Sequence, residues 1–150
     1  MIRIKFLDSH YDKYSGVSIV RVATRYGVYE GIAREHPEEK YHSKFFGCMI
    51  AECRANIKAL KDALKFKKAE LKGAERVYAE CQTKQTHGVV KGIKKEIIEL
   101  EALINIEKVE IKQIEHTKQK AIDQMEEKEQ KQKTIKAVNV LAPDKRNSII

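Results

Sequence analysis

The chain has no tryptophan, and only 7% of its residues are aromatic. A thick globular core draws heavily on such side chains, so their scarcity points to exposed helices. No stretch approaches the ~20 consecutive apolar residues that a membrane-spanning helix needs, and no membrane partner is expected. Arg3 and Lys5 interrupt the apolar residues at the start, which argues against a signal peptide. Three cysteines, an odd number, argue for free thiols in a reducing cytoplasm. The familiar catalytic templates are missing too: there is no Gly-rich phosphate loop, no HExxH, no GxSxG and no paired CxxC. Cys48 and Cys53 are spaced so that they point apart on a helix, a poor zinc pattern. His10, His36, His42, His87 and His116 are scattered, and a Cys48–His42 pair has no orienting carboxylate to activate it. The expectation is therefore no enzyme, no catalytic residue, no cofactor and no metal, with the cysteines acting as small packing groups.

Charge is what the chain has in abundance. Charged residues make up 35% of its 150 residues and the net charge is +8, in a length suited to one domain. Residues 1–42 carry seven Lys/Arg against six Asp/Glu, whereas residues 43–150 carry 23 against 16. The basic excess lies on the later part and favours anionic partners: nucleic acid, nucleotides, phosphates or an acidic protein face. A merely solvated Lys-rich surface is the other reading.

The apolar pattern divides the chain at about residue 35. Ile2, Ile4 and Phe6 alternate with Arg3 and Lys5, Val17–Val22 is rich in β-branched residues, and Val28–Ala33 forms a third run. Residues 1–35 thus read as an antiparallel β-meander, with a polar turn region at Asp8–Gly16 and a tight turn at Thr24–Gly27. Gly31 marks a bulge or a close backbone approach. From Phe46 a heptad seam runs through Ile50, Cys53, Ile57, Leu60, Leu64, Lys67, Leu71, Ala74, Tyr78 and Cys81, with Lys67 its only polar member. Residues 36–150 read as two long helices, about 43–81 and 93–136, with Ser43 as a cap, a loop at Gln82–Gly92 and a polar tail. Gly47 and Gly73 imply a close contact or a kink. The second helix carries one stripe from Ile93 to Met125, and Ile98, Leu103, Ile106 and Val109 lie off it. Apolar residues on more than one side call for several neighbours, hence subunit contacts. The fold class is α+β: a short N-terminal meander packed on long helices that form a coiled-coil or helical-bundle homo-oligomer.

The expected ligand site is the sheet-to-helix junction, built from Arg21, Arg25, Tyr29, Arg34, His36, Lys40, Lys44 and Phe45. Cations beside aromatic faces at a helix start suit a small anionic nucleotide, by base stacking and fork bonds to phosphate. On a plainer reading the aromatics join sheet to helix, and the arginines pair with Glu30, Glu35, Glu38 and Glu39. The basic stretch Lys65, Lys67, Lys68, Lys72 and Arg76 lacks the Asn/Arg set that reads bases in a duplex.

The run Gly31-Ile32-Ala33-Arg34-Glu35-His36-Pro37-Glu38-Glu39, followed by Phe46-Gly47 and Ala51-Glu52-Cys53-Arg54, resembles the Thoeris anti-defence family of phage sponges, first type. The likeness covers about residues 17–60. Glu39 stands where an aspartate is more usual, and Tyr41-His42 replaces an acidic-aromatic pair. The resemblance implies a non-enzymatic oligomer in the host cytoplasm that captures cyclic ADP-ribose-type signals, or in some members cyclic oligonucleotides, so that a host immune effector is never activated. Two alternatives remain open: an anti-CRISPR inhibitor that binds a guided nuclease, and a purely structural coiled-coil scaffold.

Overall fold

A computed structural model describes residues 2–35 and 44–147, with side chains to residue 139. Its elements are β1 (Lys5–Asp12), β2 (Val17–Thr24), β3 (Gly27–Arg34), α1 (Lys44–Glu80) and α2 (Lys84–Asn147). The α+β layout read from the sequence is present. The strands form one antiparallel sheet in the order β1-β2-β3. Asp8–Asp12, expected as part of a turn, belongs to β1. Pairing with β2, from Asp8↔Arg21 to Asp12↔Val17, outweighs the low strand propensity of Asp, Ser and His. The register shifts between Phe6 and Asp8. The turn itself is closed by Asp12, whose carboxylate accepts the Tyr14 N–H at 2.9 Å, and by Gly16 at φ 68°.

Alternation along β2 and β3 turns Ser18, Val20, Val22, Gly31 and Ala33 inward, and all five are buried. The surface that covers them is a stripe of small residues on α1: Gly47, Ala51, Ala55 and Ala59. Four-residue spacing puts them on one helix face, and their size lets the helix backbone approach the sheet. A Cβ on Gly31 would lie 1.8 Å from the Ala51 carbonyl oxygen, and one on Gly47 would lie 2.4 Å from Ser18 Oγ. The expected close approaches at Gly31 and Gly47 are both present. Gly73 has open space beside it, so no close contact explains that glycine. The edge of β3 is covered by α1, because Arg54 donates to the Ile32 carbonyl at 2.7 Å and Lys58 to the Glu30 carbonyl at 2.6 Å.

The heptad seam faces the other way, toward α2. Leu60 and Ala63 pack with Leu100 and Ile104, and Lys67 pairs with Glu96 at 2.6 Å. Asn56 donates to Glu107 at 3.4 Å, so α1 and the first part of α2 run antiparallel. The connection is short. Gln82–Gly92, expected as a loop, is helical from Lys84. Thr83 and Thr86 exchange side chain-to-backbone hydrogen bonds of 3.1 and 3.0 Å at the helix start, and Val90 and Ile93 are buried within it. At the far end α2 continues past the expected limit near residue 136 and past Pro143 to Asn147. The chain divides into two compact units, residues 1–114 and 115–150; the first holds the sheet, α1 and the start of α2 in one core, and within the second α2 runs on from 115 to 147. No helix among the described residues is long and apolar enough to cross a membrane.

Candidate functional site

The expected junction residues among those described do not converge on one crevice. Gly47 of α1 lies over Ser18, and Ser18 pairs with Ala33, so the α1 start sits at the Arg34 end of β3. Arg34, Lys44 and Phe45 are therefore brought to one end of the sheet, all exposed. Arg25 lies in the turn at the opposite end, about 25 Å away along an eight-residue strand. Arg21 is on the outer sheet face, its Nε 3.3 Å from Glu30 Oε2, which is the pairing of the plainer reading. Tyr29 is half-buried and its hydroxyl donates to Asp62; burial first, then this contact, raises its pKa above the usual tyrosine value. That ring joins sheet to helix. His36 and Lys40 lie outside the described residues, as do Ser43, Pro37, Glu38 and Glu39.

The end of the sheet that holds Arg25 carries a cavity of about 140 Å³. Arg25 and Tyr26 are among its lining residues. Tyr26 lies on Phe66 of α1 with ring centroids 4.7 Å apart and an interplanar angle of 8°. The Arg25 guanidinium covers Tyr26 at 4.8 Å and donates to its hydroxyl at 2.6 Å. Beneath the stack, Ile2, Ala63, Leu100 and Leu103 supply apolar walls, and Lys67, Glu96 and Glu99 supply charge. Lys67 bonds Glu96 at 2.6 Å and Glu70 at 3.2 Å. The Glu96 contact pushes the ammonium pKa up, and the same contact holds the Glu96 carboxyl below its ordinary range. The polar interruption of the heptad seam thus has a carboxylate partner across the helix pair. Arg25 keeps further N–H donors at the rim.

A second cluster sits where α1 and α2 face each other. Cys53 Sγ and carboxylate oxygens of Glu107 and Glu110 all lie within 4.8 Å of one another. Burial, then the neighbouring Glu107 charge, pushes the Cys53 thiol up to about 12, and burial also raises Glu107 above the usual carboxylate range. In the sequence, the pattern offered by Cys53 is its spacing from Cys48 on the same helix. The readable signal was an i,i+3 pair on each helix, Cys53/Asn56 and Glu107/Glu110, at matching heights once the antiparallel register is known. Tyr26, Phe66, Lys67 and Glu96 were likewise outside the expected site, because the stack needs a sheet turn to meet the middle of α1.

The chain matches no protein-family model, no curated protein and no solved structure.

Proposed function

We propose that this chain is a non-enzymatic, oligomeric binder of an anionic nucleotide signal, a phage-type sponge that withholds a cyclic ADP-ribose-type or cyclic oligonucleotide messenger from a host immune effector in the host cytoplasm. The observation that carries the reading is the cavity-lining pair Arg25 and Tyr26, with Tyr26 stacked on Phe66. A guanidinium within 4.8 Å of a stacked aromatic pair offers a fork for phosphate next to a surface for a base. At about 140 Å³ the cavity is well below the ~300 Å³ at which small-molecule sites begin, so it takes one moiety of a nucleotide, the remainder lying on the stack. Glu99, at the cavity wall, is suited to accept from ribose hydroxyls. The short run that resembles the sponge motif and the +8 charge point the same way. Self-association is part of the proposal, supported by Ile98, Ile106 and Val109, which are 67%, 58% and 52% exposed on α2.

Isothermal titration with cyclic ADP-ribose isomers and with cyclic di- and trinucleotides tests the reading. One ligand class should bind, and Arg25→Ala and Tyr26→Ala should each weaken it about tenfold or more, as ~1–3 kcal/mol of stacking implies. No heat with any of these ligands overturns the proposal. The exposed α2 face favours one further reading, a protein inhibitor of a guided nuclease, and pull-down of such an effector complex in place of nucleotide binding would select it.

A further inference from the structure

The middle of α1 carries a row of cations with no acid in it. Lys61, Lys65, Lys68, Lys72 and Arg76 follow one another at steps of four, three, four and four, so they stand on one helix face over about 22 Å. All five are exposed, and among the described residues no ion pair engages any of them. The four lysines line one shallow groove with Leu64 and Ala69. Toward the sheet, Arg54 and Lys58 continue the row at the same spacing. They donate to carbonyls of β3, which leaves their charge uncancelled. The acids of this stretch are engaged elsewhere or unpaired: Asp62 accepts from Tyr29, Glu70 from Lys67, and Glu75 makes no ion pair. Lys67 is the contrast, turned toward α2 and held by Glu96 at 2.6 Å. Like charges three and four residues apart weaken the helix that carries them. Among the described residues no carboxylate offsets that repulsion along the row, and an external polyanion does.

We propose that this row binds the phosphate backbone of double-stranded nucleic acid without reading its sequence. Neighbouring cations of the row start about 5–6 Å apart, a regular linear array that suits a regular linear polyanion. Lysine ammonium groups meet phosphates as point charges and need no fixed fork geometry. Base edges go unread, because the row holds no Asn or Gln and its one arginine beyond the β3 contacts is at the end. Sites for unpaired strands add aromatic faces on which bases stack. The row has none, since Phe66, next to Lys65 in the chain, is stacked on Tyr26. A helix that lies on a lipid surface needs a broad apolar face beside its charge, and this groove offers only Leu64 and Ala69. The row is separate from the cavity that holds Lys67, so it stands independently of the nucleotide reading.

The test is fluorescence anisotropy of the full chain with labelled duplexes of two unrelated sequences, across a salt series. The duplexes should bind alike, with log K falling against log salt at a slope of about −4.5, roughly 0.9 for each contact of the five-residue row. Combining Lys65→Gln, Lys68→Gln and Lys72→Gln should bring the slope to about −1.8 and weaken binding about tenfold or more at low salt. Glutamine keeps the helix propensity of lysine, so helicity by circular dichroism should hold. Should that variant lose helicity, Lys68→Gln alone should still flatten the slope by about 0.9. Combining Lys120→Gln, Lys128→Gln and Lys131→Gln removes the same charge from exposed positions of α2 and should leave the slope as it is. No duplex binding at low salt, a slope unmoved by the row variants, or an equal loss in the α2 variant overturns the proposal. Displacement of the duplex by a single strand or by poly-glutamate as readily as by unlabelled duplex also overturns it, moving the row to unpaired strands or to an acidic protein.

Discussion

Gly31 and Gly73 both stand inside regular elements, yet one added methyl group acts on them in opposite directions. At Gly31 the Cβ would lie 1.8 Å from the Ala51 carbonyl oxygen and 2.5 Å from the Ala55 nitrogen, both of them backbone atoms that cannot rotate away. Gly31→Ala should therefore cost about 3 kcal/mol or more in urea unfolding. Gly73 meets nothing within 4 Å, so Gly73→Ala should stabilise by about 1 kcal/mol, the helix-propensity difference. A loss at Gly31 no greater than the ordinary surface scatter would remove the close docking of sheet on helix. Glu107 gives a residue-scale pH dependence. Burial raises its folded pKa, so the folded state favours the protonated form. That stabilising contribution is full below the unfolded glutamate value of about 4.3 and disappears as pH rises through the folded pKa. Glu107→Gln should melt close to wild type at pH 4 and above it at pH 7. A Tm difference that does not change with pH would show that ionisation of Glu107 carries no penalty.

At the scale of elements, the start of α2 rests on a reciprocal pair. The Thr86 N–H reaches Thr83 Oγ1 at 3.1 Å and the Thr83 N–H reaches Thr86 Oγ1 at 3.0 Å. Thr83→Ala should lower stability by about 1 kcal/mol in denaturant unfolding, with Thr83→Ser recovering most of it. An unchanged midpoint would mean that burial of Val90 and Ile93 alone fixes the helix start. This cap also explains a misreading: Gly88 and Gly92 suggest a loop, and Thr-x-x-Thr lacks the Glu or Gln that usually signals a capping box. Elements with strong periodicity were legible, namely β2, β3 and the seam of α1. The start of β1 was clear, but its second half was not, since Asp8, Ser9 and His10 are held by pairing with β2 and not by their own preference. The small-residue stripe on α1 was readable at four-residue spacing but was masked by the louder heptad beside it. Of the expected site, Arg25 lines the cavity. Its partners Tyr26 and Phe66 meet only because α1 runs back along β3, a long-range fact that residue types do not encode.

At the scale of the whole molecule, α2 presents more apolar surface than α1 covers. Ile93, Leu100 and Ile104 are buried, whereas Ile98, Ile106 and Val109 point away from that face and remain exposed. Scattered single residues of this kind would need no explanation, but Ile98, Ala102, Ile106 and Val109 recur at steps of four, four and three, the spacing of a second helical seam. On the proposed reading, copies of the chain meet along that seam. Ile98→Asp combined with Ile106→Asp should then reduce the mass seen by light scattering to that of one 17.3 kDa chain. Helicity by circular dichroism should hold, because neither side chain contributes to the core of its own copy. Arg25→Ala should leave the mass unchanged, which separates assembly from ligand capture. A wild-type mass of a single chain would remove the oligomer and leave the nucleotide site to stand or fall by calorimetry alone. An oligomer indifferent to the double aspartate would move the contact to another surface, such as the exposed apolar groups Phe6, Leu7, Val28 and Phe45 of the sheet and the α1 start.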